Sequence, residues 1–175
     1  MNTGEICCIL ERFFVDYPVC KFLGVFAADE VPVYLPAFPC CFIVNTDPAS
    51  KPGEHWTACY CESAYLLEFF DSYGLPPVLY QAVRLPVMNV WYNPRRFQDM
   101  SSDACGYYSV YYVCCRARGV SRIQVQSHLL WWFSSDIFVT REVRDLVSRL
   151  GIVRRCSRAC RGQKCCKMSR VSVHH

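Results

Sequence analysis

The feature that most constrains the fold of this chain is a polar loop that leads directly into an apolar run of helix length. Residues 98–106 read QDMSSDACG, and the run YYSVYYV follows at once. This pattern places Cys105 in the first turn of a buried helix. Unpaired backbone N–H groups and the positive end of the helix dipole there favour thiolate over thiol. Cys105 is therefore a candidate nucleophile, the alternative being one more small buried residue.

Length and composition restrict the class of protein. The 175 residues fit one domain, and 53% hydrophobic and 15% aromatic residues are typical of a folded globule. No stretch reaches the roughly 18 apolar residues of a membrane span. Charged residues interrupt the apolar N-terminus, which therefore lacks the order of a signal peptide. We expect a monomer inside the cell, with no secretion and no membrane association.

The cysteine content also fits a protein inside the cell. A chain of this size and apolar content does not need a disulfide scaffold, so most of its 14 cysteines should be reduced. Eight of them lie within apolar runs and are interpreted as core residues: Cys7, Cys8, Cys40, Cys41, Cys59, Cys61, Cys114 and Cys115.

The N-terminal part predicts one helix and an irregular connection. Apolar residues at spacings of three and four predict an amphipathic helix over residues 4–15, with Thr3 as its N-cap. The prolines between Pro18 and Pro39 exclude a long helix and favour loops with short extended pieces.

The middle of the chain predicts a small sheet. Short apolar or alternating runs predict strands over residues 41–46, 55–62, 64–71 and 86–93. Tight loops between the first three favour antiparallel pairing. Residues 76–85 predict a helix that begins with proline.

The last part of the globular region is helical. The predicted helices cover residues 105–117, closed near Gly119, then residues 121–133 and 136–151, with Ile137, Val143, Leu146 and Leu150 near helical spacing in the last. The predicted fold class is α+β, with a small mixed or antiparallel sheet flanked by helices and a basic C-terminal tail.

Three further residues complete a catalytic pattern around Cys105, and two of them lie outside this loop. His55 opens a predicted strand, and Asp71 ends the next one. If these strands are antiparallel neighbours, both residues lie at one end of the sheet, where Asp71 can orient the His55 ring as a base. Gln98 and the Cys105 backbone N–H could form an oxyanion hole.

The segments GEHW, FFDSYG and Q-x6-CG resemble those of the adenovirus-type cysteine proteases, or adenains. The resemblance extends to the proteases of Maverick/Polinton and adintovirus-like elements, and the SUMO-specific proteases belong to the same clan. It covers roughly residues 20–118, with its sharpest motifs at 53–56, 69–74 and 98–106. The seven-residue interval from Gln98 to Cys105 is similar to the adenoviral branch, whereas Asp71 stands where adenoviral enzymes usually have Glu.

The resemblance implies a papain-like, adenain-like protease domain over residues 1–151. His55 would be the general base, Asp71 its orienting carboxylate, Gln98 the oxyanion donor and Cys105 the nucleophile. Trp56 would line a glycine-accepting channel in the substrate site, although an aromatic residue in a half-buried strand is an equal interpretation. No cofactor and no metal are implied.

The function implied is a cysteine endopeptidase that processes viral structural precursors during virion maturation, in the virion and the host nucleus or cytoplasm. One alternative is a deubiquitinase or SUMO-type isopeptidase that uses the same residues. Another is a non-catalytic DNA-binding virion protein, which the basic tail favours.

The tail, residues 152–175, carries seven of the 19 basic residues and none of the 15 acidic ones. The rest of the chain therefore has a net charge of about −3. It is expected to be disordered or to contact DNA, whereas its cysteine spacing fits a zinc site poorly. Adenains are activated by DNA and by a basic, cysteine-containing peptide, so this tail could supply such an element. The basic residues are Arg154, Arg155, Arg158, Arg161, Lys164, Lys167 and Arg170.

Overall fold

A computed structural model describes residues 1–86, 89–131 and 135–152 of the chain. Its elements confirm the predicted α+β class, with helices around one sheet. The helices are α1 (Thr3–Asp16), α2 (Cys105–Ala117), α3 (Arg122–Trp131) and α4 (Ser135–Arg149). The strands are β1 (Lys21–Phe26), β2 (Cys40–Asn45), β3 (Trp56–Ser63), β4 (Leu66–Phe70) and β5 (Val90–Tyr92).

The five strands form one mixed sheet in the order β1-β2-β3-β4-β5. The central strands β2, β3 and β4 pair antiparallel, as predicted. Both edge strands pair parallel to their neighbours. A parallel pair needs a long return connection, and residues 27–39 and 71–89 supply the two that this sheet requires.

Both faces of the sheet are buried, which explains why every residue of β2 is buried. Cys41 and Ile43 point into a core shared with the helices. Phe42 and Val44 point into a second core that irregular segments cover, including Leu35. The predicted core cysteines are buried in these clusters, apart from Cys8, which is half-buried.

Helix α2 begins and ends as the sequence predicts, and Gly119 follows it with a φ of 82°. Tyr112 stacks on Phe70 of β4 with ring centroids 4.3 Å apart. One turn further on, Arg116 Nε donates to Glu68 Oε2 at 2.8 Å, and both side chains are buried. Because this ion pair and this stack join α2 to β4, they fix where the N-terminus of α2 lies relative to the strand ends.

Two predictions about local structure are wrong in detail. The N-cap of α1 is Asn2, not Thr3, because Asn2 and Glu5 form a capping box in which each side chain binds the other residue's backbone N–H. In α4, Ile137 is exposed and Val139 takes its place in the core. The connection from Pro18 to Pro39 contains a short extended piece, as predicted, which is strand β1.

The predicted helix over residues 76–85 is also wrong. Only Pro77–Leu79 forms a single 3-10 turn, after which Tyr80 leaves helical geometry with φ −98° and ψ 83°. The Tyr80 side chain binds Asp71 beside the sheet. The end of helical geometry at Tyr80 thus goes together with a tertiary contact to Asp71.

The prediction of a basic tail falls on residues 152–175, of which the structure describes only Ile152. The tail therefore lies outside the described residues. Across the described ranges, no helix is both long enough and apolar enough to cross a membrane.

Candidate active site

Cys105 is the first residue of α2, as predicted. The N-cap position is occupied by Ala104, whose side chain has no oxygen to bind the free N–H groups of the first turn. Burial disfavours the Cys105 thiolate, but hydrogen bonds from the His55 side chain and from the backbone of Trp56 outweigh it. The pKa of Cys105 is consequently lowered from its ordinary value.

His55 lies immediately before β3, and its backbone oxygen accepts from Thr46 N at 2.9 Å. The ring is buried, with Nε2 hydrogen-bonded to Asp71 Oδ1 at 2.8 Å. Burial acts to lower the pKa of His55, but hydrogen bonds to Asp71 and to Cys105 outweigh it and raise this pKa to about 9. The opposite pKa shifts of His55 and Cys105 favour an imidazolium–thiolate pair near neutral pH.

Asp71 directly follows β4 and is fully buried. Besides His55, its Oδ1 accepts from the Tyr73 backbone N at 2.8 Å, and its Oδ2 accepts from the Tyr80 hydroxyl at 2.5 Å. Asn93 holds the backbone of Asp71: its Oδ1 accepts from Asp71 N at 2.9 Å and its Nδ2 donates to Asp71 O at 2.6 Å. The carboxylate therefore has one orientation, which points at the His55 ring.

Gln98 lies at the start of the loop that leads to Cys105 and is 1% exposed. Its Oε1 accepts from Ser72 Oγ at 2.6 Å. Its Nε2 donates to the Ser102 backbone oxygen at 2.6 Å and to the Tyr73 hydroxyl at 3.2 Å. Direct donation from Gln98 to an oxyanion would require one of these two bonds to be released, so its role remains a prediction.

Trp56 lies at the first position of β3, half-buried and on the wall of the cleft that contains Cys105. Its indole Nε1 donates to Met1 O at 3.1 Å. Gly106 leaves room for both residues, because a Cβ there would lie 2.9 Å from Met1 Cβ and 3.4 Å from Trp56 Cδ1. This position suits the predicted contact with substrate, which remains a prediction.

The structure brings His55, Asp71 and Cys105 together. His55 and Cys105 line a cleft of about 710 Å³. Tyr73 and Tyr80 also line this cleft, and both were missed by sequence reasoning. Sequence reasoning could have identified Tyr73, because it follows Asp71 by two residues in the segment FFDSYG. No local signal indicates Tyr80, whose contact with Asp71 depends on the path of the loop after β4.

In the ranges that the structure describes, no group of three or more His, Cys, Asp or Glu side chains is placed to hold a metal ion. The cysteines and cations of residues 153–175 lie outside these ranges, and the predicted DNA contact there lies outside the described residues as well.

The chain matches no family model. It also matches no curated protein sequence. Among solved structures it is similar to the one titled "Crystal Structure of Se-Met ASFV pS273R protease", with 22% sequence identity and a TM-score of 0.49. The alignment covers 69% of this chain and 59% of that chain. This chain thus spans less than two thirds of the protease that it matches.

Proposed function

We propose that this chain is a cysteine endopeptidase in which Cys105 is the nucleophile, His55 the general acid and base, and Asp71 the residue that orients His55. One observation carries the proposal: a single buried imidazole hydrogen-bonds a fixed carboxylate and lines the same cleft as a cysteine at a helix N-terminus. Burial raises the pKa of the core cysteines Cys59 and Cys114. The pKa of Cys40 is lowered by its neighbour Cys61, whereas that of Cys105 is lowered by the His55 side chain and the Trp56 backbone.

In the proposed acylation step, the Cys105 thiolate attacks the carbonyl carbon of the scissile peptide bond. The carbonyl oxygen becomes an oxyanion, which is stabilised by the Cys105 backbone N–H and by the hydrogen-bond donors around Gln98. The C–N bond then breaks, and the His55 imidazolium gives its proton to the leaving amine. The product is a thioester on Cys105 and a free amine.

In the proposed deacylation step, neutral His55 takes a proton from water as the water oxygen attacks the thioester carbon. The C–S bond breaks, which releases a carboxylic acid and returns the Cys105 thiolate with the His55 imidazolium. The open cleft beside Trp56 suits an extended polypeptide. We further propose viral structural precursors as the substrates, on the strength of the sequence resemblance alone.

The test is cleavage of a peptide library by the wild-type chain and by Cys105→Ala. We expect Cys105→Ala to lose all activity while its thermal unfolding temperature stays unchanged. Iodoacetamide at neutral pH should alkylate Cys105 ahead of the core cysteines, because these are buried. Undiminished cleavage by Cys105→Ala would refute the proposal.

A SUMO-type isopeptidase is the second candidate, favoured by the position of Trp56 on the wall of the cleft that contains Cys105. Such a site suits the glycines at the end of a ubiquitin-like tail. Faster cleavage of ubiquitin- or SUMO-fluorophore conjugates than of any library peptide would assign this activity instead.

For the basic tail we propose contact with DNA, which could also activate the protease. This rests on seven cations in residues 152–175. Loss of DNA retention on deletion of these residues would support the proposal, and unchanged retention would refute it.

A further inference from the structure

The side-chain amide of Gln98 is already fully used within the protein. An amide carries two N–H bonds, and here one binds the Ser102 backbone oxygen and the other binds the Tyr73 hydroxyl. The third contact, from Ser72 Oγ to Gln98 Oε1, fixes which way the amide faces. Gln98 is 1% exposed and lies behind the surface of the cleft.

Tyr73 is the member of this chain of hydrogen bonds that reaches the cleft. It lines the cleft together with Cys105, and its ring stacks on His55 at 4.7 Å between centroids with 24° between planes. Its backbone N–H donates to Asp71 Oδ1, which fixes the position of the Tyr73 backbone. Both the backbone and the ring are thus held by the residues assigned to catalysis.

The Tyr73 hydroxyl has a proton left to donate. Its oxygen accepts from Gln98 Nε2, and a phenol can donate one hydrogen bond besides. Across residues 1–86, 89–131 and 135–152, the structure provides no acceptor for that proton. Burial and the negative charge on Cys105 raise the pKa of Tyr73, so the hydroxyl stays protonated at the working pH.

We propose that the Tyr73 hydroxyl, oriented by Gln98, donates a hydrogen bond to the oxyanion alongside the Cys105 backbone N–H. The proposal rests on the proposed peptidase function and revises the role of Gln98 from direct donor to positioning residue. Tyrosine hydroxyls serve as oxyanion donors in other enzymes. The Tyr73 proton stays on its oxygen throughout, so the step adds no proton transfer.

The geometry gives this donor an advantage over a solvated one. The Ser72 hydroxyl polarises the Gln98 amide, and the amide in turn polarises the Tyr73 O–H, so that each bond strengthens the next. A hydrogen bond to a full negative charge is roughly twice as strong as one to a neutral carbonyl. Tyr73 would therefore stabilise the tetrahedral intermediate more than the bound substrate.

Tyr73→Phe is the decisive variant, because it keeps the ring on His55 and removes only the hydroxyl. We expect kcat for peptide cleavage to fall by about 10²–10³-fold, with KM nearly unchanged. The rate and pH dependence of Cys105 alkylation by iodoacetamide should stay as in wild type, since that reaction forms no oxyanion. Tyr65→Phe, at an exposed tyrosine, is the matched control.

Direct donation by Gln98 predicts the opposite result. In that case Tyr73→Phe frees one N–H of Gln98, and kcat stays constant or rises, which would overturn the proposal. An equal loss of alkylation rate in Tyr73→Phe would assign Tyr73 to the His55–Cys105 pair and overturn it too.

Gln98→Ala and the double variant complete the test. If Gln98 acts through Tyr73, the double variant loses little more than Tyr73→Phe alone, whereas additive losses would contradict the relay. Absence of Cys105-dependent cleavage in the wild-type chain would refute the proposed function itself, and this inference with it. Cys105-dependent cleavage combined with full activity of Tyr73→Phe would refute this inference alone.

Discussion

The two sides of the cleft are held in different ways. On one side, His55 and Asp71 extend from paired strands, and the Asp71 carboxylate accepts three hydrogen bonds while Asn93 binds its backbone. On the other side, a loop leads from Gln98 to Cys105. Its internal contacts are an exposed turn, in which Asp99 Oδ1 accepts from Ser101 N at 2.8 Å, and the bond from the buried Gln98 side chain to the Ser102 backbone oxygen.

The contrast extends to the satisfaction of buried polar atoms. Asp71 is fully buried, and both of its carboxylate oxygens have partners. The Ser102 hydroxyl on the loop side is a buried side-chain atom with no hydrogen-bond partner among the described residues. The side of the base thus has partners for both oxygens of Asp71, whereas the loop side leaves one buried hydroxyl unpaired.

Asp71→Asn should produce the largest effect. An amide cannot stabilise the imidazolium as a carboxylate does, so the pKa of His55 should fall from about 9 toward its ordinary value near 6.5. We expect kcat to drop by up to about 10⁴-fold. The pH profile of kcat/KM should lose activity at a lower pH on its alkaline side, because the imidazolium deprotonates earlier. An alkaline limb that stays near pH 9 would contradict the assignment of Asp71.

Tyr80→Phe should have an intermediate effect. It leaves one buried oxygen of Asp71 without its partner, which should lower the free energy of unfolding by about 1–3 kcal/mol. Without this hydroxyl the carboxylate attracts the imidazolium more strongly, so the pKa of His55 should rise and the alkaline limb should move to higher pH. Urea denaturation and the pH profile would measure the two changes. An unchanged free energy of unfolding would show that the base side is no more tightly built than the loop side.

Ser102→Ala should have the smallest effect. It removes a hydroxyl that has no partner, so the free energy of unfolding should stay constant or rise by about 1 kcal/mol. Gln98 binds the backbone oxygen of Ser102, which the substitution keeps, so kcat should not change. A tenfold loss of kcat would mean that the Ser102 hydroxyl contacts substrate, and the comparison of the two sides would have to be revised.

Much of the fold follows from local pattern. The apolar run after Cys105 specifies α2, and the short loop between β3 and β4 specifies their antiparallel pairing. Both signals act over a few residues, where periodicity and turn chemistry dominate. The parallel edge strand β1 and the non-helical path of residues 76–85 depend on partners far away in the chain, and local pattern does not contain them.

The same distinction between local pattern and long-range contacts applies to the candidate site. The sequence by itself determined Cys105 at a helix start, and it determined His55 and Asp71 at one end of a hairpin, because strand register follows from loop length and alternation. Only the tertiary structure decided that Tyr80 binds Asp71 and that Tyr73 stands between Gln98 and the cleft. The physical reason is that hydrogen bonds between side chains of separate segments depend on how those segments pack, and no short-range pattern encodes that packing.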